Sequence, residues 1–167
     1  MNNNTLKRRE VVAQLLKARQ DLLVISGLGG TTWDAAAAGD HENNFYLWGG
    51  MGLAVSTGLG LALARPERRV LVLTGDGEML MGLGSLATVA QSAPANLAIV
   101  VIDNERYGET GEQLTHTAGA TDLLAVARGA GISVTAAVND EADVSALIEQ
   151  LHHASGPLFA VVKVQPG

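Results

Sequence analysis

Two short, unbroken apolar runs in this chain each end in a side chain able to bind a metal. Val70-Leu71-Val72-Leu73-Thr74 leads into Gly75-Asp76-Gly77-Glu78. Leu97-Ala98-Ile99-Val100-Val101-Ile102 leads into Asp103-Asn104, and Asn104 lies 28 residues after Asp76. Continuous apolar runs of this length read as parallel strands buried on both faces. In an open α/β sheet, ligands sit just beyond the carboxyl ends of such strands. A carboxylate oxygen and an amide oxygen delivered to that edge are hard donors suited to Mg²⁺, which takes few protein groups and completes its shell with phosphate and water. The flanking glycines let the backbone approach a phosphate closely. A site of this kind binds a diphosphate through a metal. The plainer alternative is a pair of strand-ending turns, because Gly, Asp and Asn all favour turns.

Strand and helix signals alternate along the whole chain, which predicts an α/β three-layer sandwich with a mostly parallel six-stranded sheet. With neither linker nor internal repeat, residues 1–167 read as a single domain. The expected order is a helix from Thr5 to Arg19, a strand Leu22 to Ser26, the turn Gly27-Leu28-Gly29-Gly30, and a strand Phe45 to Trp48. A Gly-rich helix from Met51 to Ala64 follows and is stopped by Pro66. After the Val70 strand come a helix from Met79 to Gln91, the Leu97 strand and a loop from Glu105 to Thr117. Thr121 is read as the N-cap of a helix from Asp122 to Arg128, which Gly129 and Gly131 end. A strand Ile132 to Ala136, a helix Glu141 to His153 and a strand Leu158 to Val164 complete the pattern.

Composition excludes several functions. The formal net charge is -6, from 11 Lys and Arg against 17 Asp and Glu, so nothing suggests neutralisation of a nucleic-acid backbone. Cysteine is absent, which removes disulfides, thiolate metal sites and a Cys nucleophile. The N-terminal Lys7, Arg8 and Arg9 continue into an amphipathic pattern rather than a long apolar run, so the chain is expected to be cytoplasmic. Glycines, Ser56 and Thr57 within Gly49 to Ala64 argue against a membrane span. Gly27-Leu28-Gly29 lacks the third glycine and the later acidic residue of a dinucleotide fingerprint, and the Walker pattern is missing.

Gly75-Asp76-Gly77, then 26 residues, then Asn104, resembles the metal and diphosphate signature of thiamine diphosphate enzymes. Leu47-Trp48-Gly49-Gly50-Met51-Gly52 resembles the stretch that cradles the aminopyrimidine in pyruvate-decarboxylase-like enzymes. The best match is to the β, cofactor-binding subunits of two-chain sulfopyruvate decarboxylases and the matching domain of phosphonopyruvate decarboxylases. It is carried by Gly75 to Thr88 and Asp103 to Gln113, within a similarity from Ser26 to His116. The resemblance implies thiamine diphosphate and Mg²⁺ as cofactors. Asp76, the Asn104 side chain and the Arg106 carbonyl would hold the metal. The backbone around Gly75, Gly77, Glu78, Tyr107, Gly108 and Glu109 would hold the diphosphate, with Gly27 a further phosphate contact. Gly49 and Met51 would meet the pyrimidine, Met51 as the wedge that keeps the cofactor bent; alternatively Met51 fills a gap in the core. The plainer role for Glu78, preferred to a catalytic one, is to favour the N-terminus of its helix.

One departure is plain. Relatives of pyruvate decarboxylase carry an acid six positions beyond the Asn ligand, where this chain has Thr110; Glu109, Gln113 and His116 are the nearby candidates for proton transfer. His116 can also be a solvated surface residue, and His152 and His153 are read as solvated. In the family the activating glutamate comes from a separate pyrimidine-binding domain, for which this chain has no room. The resemblance therefore implies a lyase that works on a small 2-oxo acid only with a pyrimidine-binding partner subunit, in a hetero-tetramer or larger assembly, with the Gly49 to Gly60 surface as the place of close packing. A carboligase or aldehyde lyase, and a non-catalytic diphosphate-binding or scaffold protein, are the alternatives.

Overall fold

The computed structural model describes residues 6–17 and 19–166; Thr5, where the first helix is expected to begin, lies outside them. The strands are β1 (Leu23–Ser26), β2 (Asn44–Tyr46), β3 (Val70–Gly75), β4 (Leu97–Asp103), β5 (Arg106–Tyr107), β6 (Gln113–Leu114), β7 (Val134–Val138) and β8 (Leu158–Lys163). Six of them form one sheet in the order β2-β1-β3-β4-β8-β7, and every pairing in it is parallel. The helices are α1 (Arg8–Lys17), α2 (Gly30–Ala37), α3 (Ala54–Ala64), α4 (Asp76–Met81), α5 (Ser85–Ser92), α6 (Leu123–Ala130) and α7 (Glu141–His153).

The three expected layers are present, and strand alternation builds them. Leu71 and Leu73 of β3 pack with α1 and α7, through Val11, Leu15, Val144 and Leu147. Val70 and Val72 point the other way, among Leu59 of α3, Leu86 and Val89 of α5 and Leu123 of α6. Both faces of β3 and β4 are therefore sealed, as their unbroken apolar sequences require.

Local departures from expectation have identifiable causes. Helix α2 is not apparent in its sequence, Gly-Thr-Thr-Trp-Asp-Ala-Ala-Ala, which opens on poor helix formers. Tertiary bonds support it: the hydroxyls of Thr31 and Thr32 both donate to the Gly27 carbonyl, at 3.2 and 2.7 Å, and Asp34 is anchored to α1. The helix expected from Met79 to Gln91 is two helices, because Gly82 crosses the backbone of Gly52 so closely that a Cβ there would overlap the Gly52 carbonyl oxygen. Helix α3 starts at Ala54 rather than Met51, after a turn in which Gly52 has φ 88°. The N-cap of α6 is Asp122, whose Oδ1 accepts the amides of Leu124 and Ala125, not Thr121. Strand β7 begins at Val134, since Ile132 is drawn into the core beside α6. The loop Glu105 to Thr117 contains the antiparallel hairpin β5–β6. Strand β2 ends at Tyr46, and Trp48 stands half-exposed in a turn.

Candidate active site

Register delivers the two motif strands together. Gly75 pairs with Ile102, so the next residues, Asp76 and Asp103, emerge side by side at the carboxyl edge, followed by Asn104. Both carboxylates are buried. Asp103 is neutralised by Lys163 at 2.8 Å and accepts the Thr117 hydroxyl at 2.8 Å and the Glu105 amide at 3.1 Å. Asp76 has no cationic partner among the described residues. Its Oδ2 accepts only the hydroxyls of Thr115, at 2.5 Å, and Thr117, at 3.3 Å. Burial pushes the Asp76 carboxyl up to about 6, and the neighbouring Asp103 charge adds to the rise against the two hydroxyl bonds.

A carboxylate in that position is stabilised by a cation, and its surroundings suit one. Asp76, Asn104 and Arg106 all border one cleft, of about 150 Å³, at the sheet edge. Asn104 Oδ1 accepts the Arg106 amide at 3.1 Å and keeps its second lone pair. No cluster of three or more His, Cys, Asp or Glu residues able to hold a metal occurs among the described residues. A cation here would rest on one carboxylate, an amide oxygen and a carbonyl, which fits Mg²⁺ carrying phosphate and water better than a metal caged by protein alone.

The cleft's walls come from three turns. Gly77, which starts the helix α4 with Asp76, must be glycine because the Tyr107 ring lies where its side chain would be. Gly108 and Glu109 follow β5, and Glu109 folds over Gly29, where a Cβ would lie 3.2 Å from its Cγ. Leu28, Gly29, Gly30 and Thr31 form a further part of the wall. Met51, half-buried, reaches the cleft from the turn that Gly82 clasps through Gly52.

Glu78 lies behind these turns. Its carboxylate is buried, with Oε2 accepting the Thr74 hydroxyl at 2.8 Å and Oε1 without a hydrogen-bond partner among the described residues. Burial raises its pKa, against the Thr74 hydrogen bond. Gly27 backs onto this carboxylate: a Cβ there would overlap Glu78 Oε2, and the cleft is lined by its successors instead.

Most of the residues singled out from sequence converge on the cleft: Met51, Gly75, Asp76, Gly77, Glu78, Asn104, Arg106, Tyr107, Gly108 and Glu109 border it, as does Thr110. Gly27 supports its floor without lining it. Gly49 is exposed in the turn beside it, Gln113 bonds back to Thr110 within the hairpin, and His116 lies exposed on a 3₁₀ turn away from it. His116 is thus not brought to the cleft of this chain. Sequence reasoning missed Thr115 and Thr117, which flank His116 and alone turn inward to the carboxylates; alternation around an exposed histidine was the available signal. It also missed Arg8, from α1, and Asp34, from α2, the helix whose start is poorly encoded and on which α1 packs.

A parallel sheet whose carboxyl edge joins a buried Asp to an Asn across a glycine-walled cleft is an arrangement suited to a diphosphate held through a metal. The chain belongs to the family of thiamine pyrophosphate enzymes, C-terminal TPP binding domain, whose model matches residues 28–162. It is 43% identical over 162 residues to the sulfopyruvate decarboxylase subunit beta of Methanothermobacter thermautotrophicus, covering 97% of this chain and 84% of that one. It is 38% identical over 153 residues to the phosphonopyruvate decarboxylase of Streptomyces viridochromogenes, covering 92% of this chain and 38% of that one. Among solved structures, a candidate thiamin diphosphate-dependent enzyme isolated from Mycobacterium smegmatis superposes with a TM-score of 0.83 at 26% identity, over 97% of this chain and 32% of that one.

Proposed function

We propose that this chain is the cofactor-binding subunit of a two-component, thiamine diphosphate-dependent 2-oxo-acid decarboxylase that uses Mg²⁺ and acts in the cytoplasm. The observation that carries the reading is Asp76: a buried carboxylate without a cationic partner among the described residues, at the edge of a cleft whose other walls are glycine turns and an Asn. The similarity to a sulfopyruvate decarboxylase β subunit over nearly the whole chain supports the substrate class, a 2-oxo acid bearing a second acid group.

When bound, thiamine diphosphate supplies a carbanion that adds to the substrate carbonyl and an electron sink for the bond that releases CO₂. This chain's residues bind and position. Asp76, Asn104 and the Arg106 carbonyl would hold Mg²⁺, and the amides of Gly77, Glu78, Gly108 and Glu109 would donate to the diphosphate oxygens. Thr115 and Thr117 orient the Asp76 carboxylate through its Oδ2, leaving Oδ1 for the cation. Met51 would press on the cofactor from its turn, and Glu109, which borders the cleft, is the best placed of the candidate groups to move a proton.

The activating glutamate would come from a separate pyrimidine-binding subunit. Large apolar side chains on this side of the chain support such a partner: Phe45, Trp48 and Leu53 stand about half exposed, and Trp33 packs edge-to-face on Trp48 with ring centroids 5.1 Å apart. Titration calorimetry of thiamine diphosphate with and without Mg²⁺, followed by assay of CO₂ release from 3-sulfono- and 3-phosphono-2-oxo acids by the co-purified complex, tests the reading. Mg²⁺-independent binding, or no release from any 2-oxo acid, would contradict it.

A further inference from the structure

Arg8 lies outside the segment that the family model matches, yet its side chain forms part of the cleft wall. Two features seat it there. Asp34, wholly buried on α2, pairs with Nε of Arg8 at 2.5 Å and with Nε of Arg9 at 3.2 Å. Gly30 leaves the space that Nη1 of Arg8 occupies, since any Cβ at that position would overlap it.

The charges of this trio do not cancel: two guanidinium groups face one carboxylate, leaving one positive charge. The two arginines are not equivalent. The Arg9 side chain is 66% exposed and does not line the cleft, whereas that of Arg8 is 33% exposed and does. With its Nε turned to Asp34, Arg8 lays the other edge of its fork over the first residue of α2, a helix start with no side-chain cap. A guanidinium beside uncapped helix amides is suited to an oxyanion with several acceptor oxygens. The rest of the wall needs such a charge, because it carries Asp76, Glu78 and Glu109 against Arg106, whose guanidinium donates to the Glu112 carbonyl at 3.3 Å.

We infer that Arg8, held in place by Asp34, is a binding residue for the diphosphate group and grips it beside the start of α2. The inference rests on the thiamine diphosphate reading above. Asp34 acts through Arg8 and is a positioning residue.

The test is titration calorimetry on the full chain purified with its partner subunit, at fixed Mg²⁺, with thiamine diphosphate and inorganic pyrophosphate as separate titrants. Arg8→Gln should weaken both roughly 10- to 100-fold, as loss of a charge-assisted hydrogen bond predicts. Arg9→Gln, which removes the other partner of Asp34, should stay within about twofold of wild type for both. Arg8→Lys retains the charge beside Asp34, and with it the fold, but lacks the planar fork; it should lose several-fold on both titrants even if Arg8→Gln fails to fold. Wild-type affinity in the Arg8 variants would overturn the inference, as would an equal loss in Arg9→Gln, which would make the trio only a fold anchor. A loss confined to thiamine diphosphate would also overturn it, because the ring and not the phosphates would then be sensed. A wild-type protein that does not bind thiamine diphosphate at all would defeat the functional reading itself, and this inference with it.

Discussion

Asp76 is held where its charged form is disfavoured, and that fact is measurable without any assay of turnover. Its carboxyl titrates at about 6 in the folded chain against 3.8 ordinarily. Between these values the folded protein keeps a proton that the unfolded chain has released, so this group's contribution to stability falls as pH rises from about 4 to 6. Above that window the charged carboxylate costs on the order of 3 kcal/mol. In chelator at pH 7, Asp76→Asn should therefore unfold at a higher temperature than wild type, with the gap closing toward pH 4. Mg²⁺ with thiamine diphosphate should stabilise wild type and not the variant; a variant less stable than wild type at pH 7, or one equally stabilised by the cofactor, would contradict the metal assignment. Met51 makes a second prediction at this scale. A side chain that acts by shaping the cofactor is sensitive to volume, so Met51→Ala should lower kcat by roughly 100-fold with a smaller loss of cofactor affinity, while Met51→Leu is tolerated. Equal kcat in all three proteins would reduce Met51 to a packing residue.

Among the elements, the junctions matter more than the helices and strands they join. The turn carrying Met51 and the break between α4 and α5 meet backbone to backbone at Gly52 and Gly82. A methyl at Gly82 has no flexible neighbour to displace, so Gly82→Ala should cost roughly 1 to 3 kcal/mol in denaturant unfolding. It should also weaken cofactor binding, since the turn it displaces carries Met51; unchanged stability would show that the crossing is looser than the structure has it. Helix α2 shows the same dependence on tertiary partners. Its first turn is stabilised by Thr31 and Thr32 on Gly27 and by Asp34 on α1, contacts between residues whose proximity no local pattern announces. By contrast, the caps of α6 and α7, Asp122 and Asp140, lie within their own turns, and a sequence reading errs there by no more than a residue.

For the whole molecule, the prediction concerns association. Gly60 sits in the interior of α3 with open space where a side chain would be. Nothing among the described residues requires glycine there, and Gly60→Ala should stabilise the isolated chain by about 0.5 to 1 kcal/mol, a rise in unfolding temperature of about 2 °C. If α3 packs closely on the partner subunit, the same substitution should weaken the complex, read as a shift toward free subunits in analytical ultracentrifugation. An unchanged complex would move the interface elsewhere. The isolated chain, supplied with Mg²⁺ and thiamine diphosphate, should release no CO₂ from any 2-oxo acid; turnover at about 1 per second or more would require an activating acid within this chain, with Glu42, Glu78 and Glu109 the first to replace.

The sequence by itself determined the layered sheet and the axis of the site, because both are written locally. Short unbroken apolar runs bounded by turn residues read as strands sealed on two faces, and the residue after such a strand emerges at the sheet edge, where Asp76 and Asn104 stand. What the tertiary structure decided depends on distances across the chain. It turned Glu78 inward onto the Thr74 hydroxyl, and it moved Gly27 behind that carboxylate. It put His116 outside while its neighbours Thr115 and Thr117 bonded the carboxylates, and it carried Arg8 from the N-terminal helix into the cleft. Each of these outcomes was settled by which side chain found a buried partner, and burial is a property of the packed molecule that no stretch of sequence carries alone.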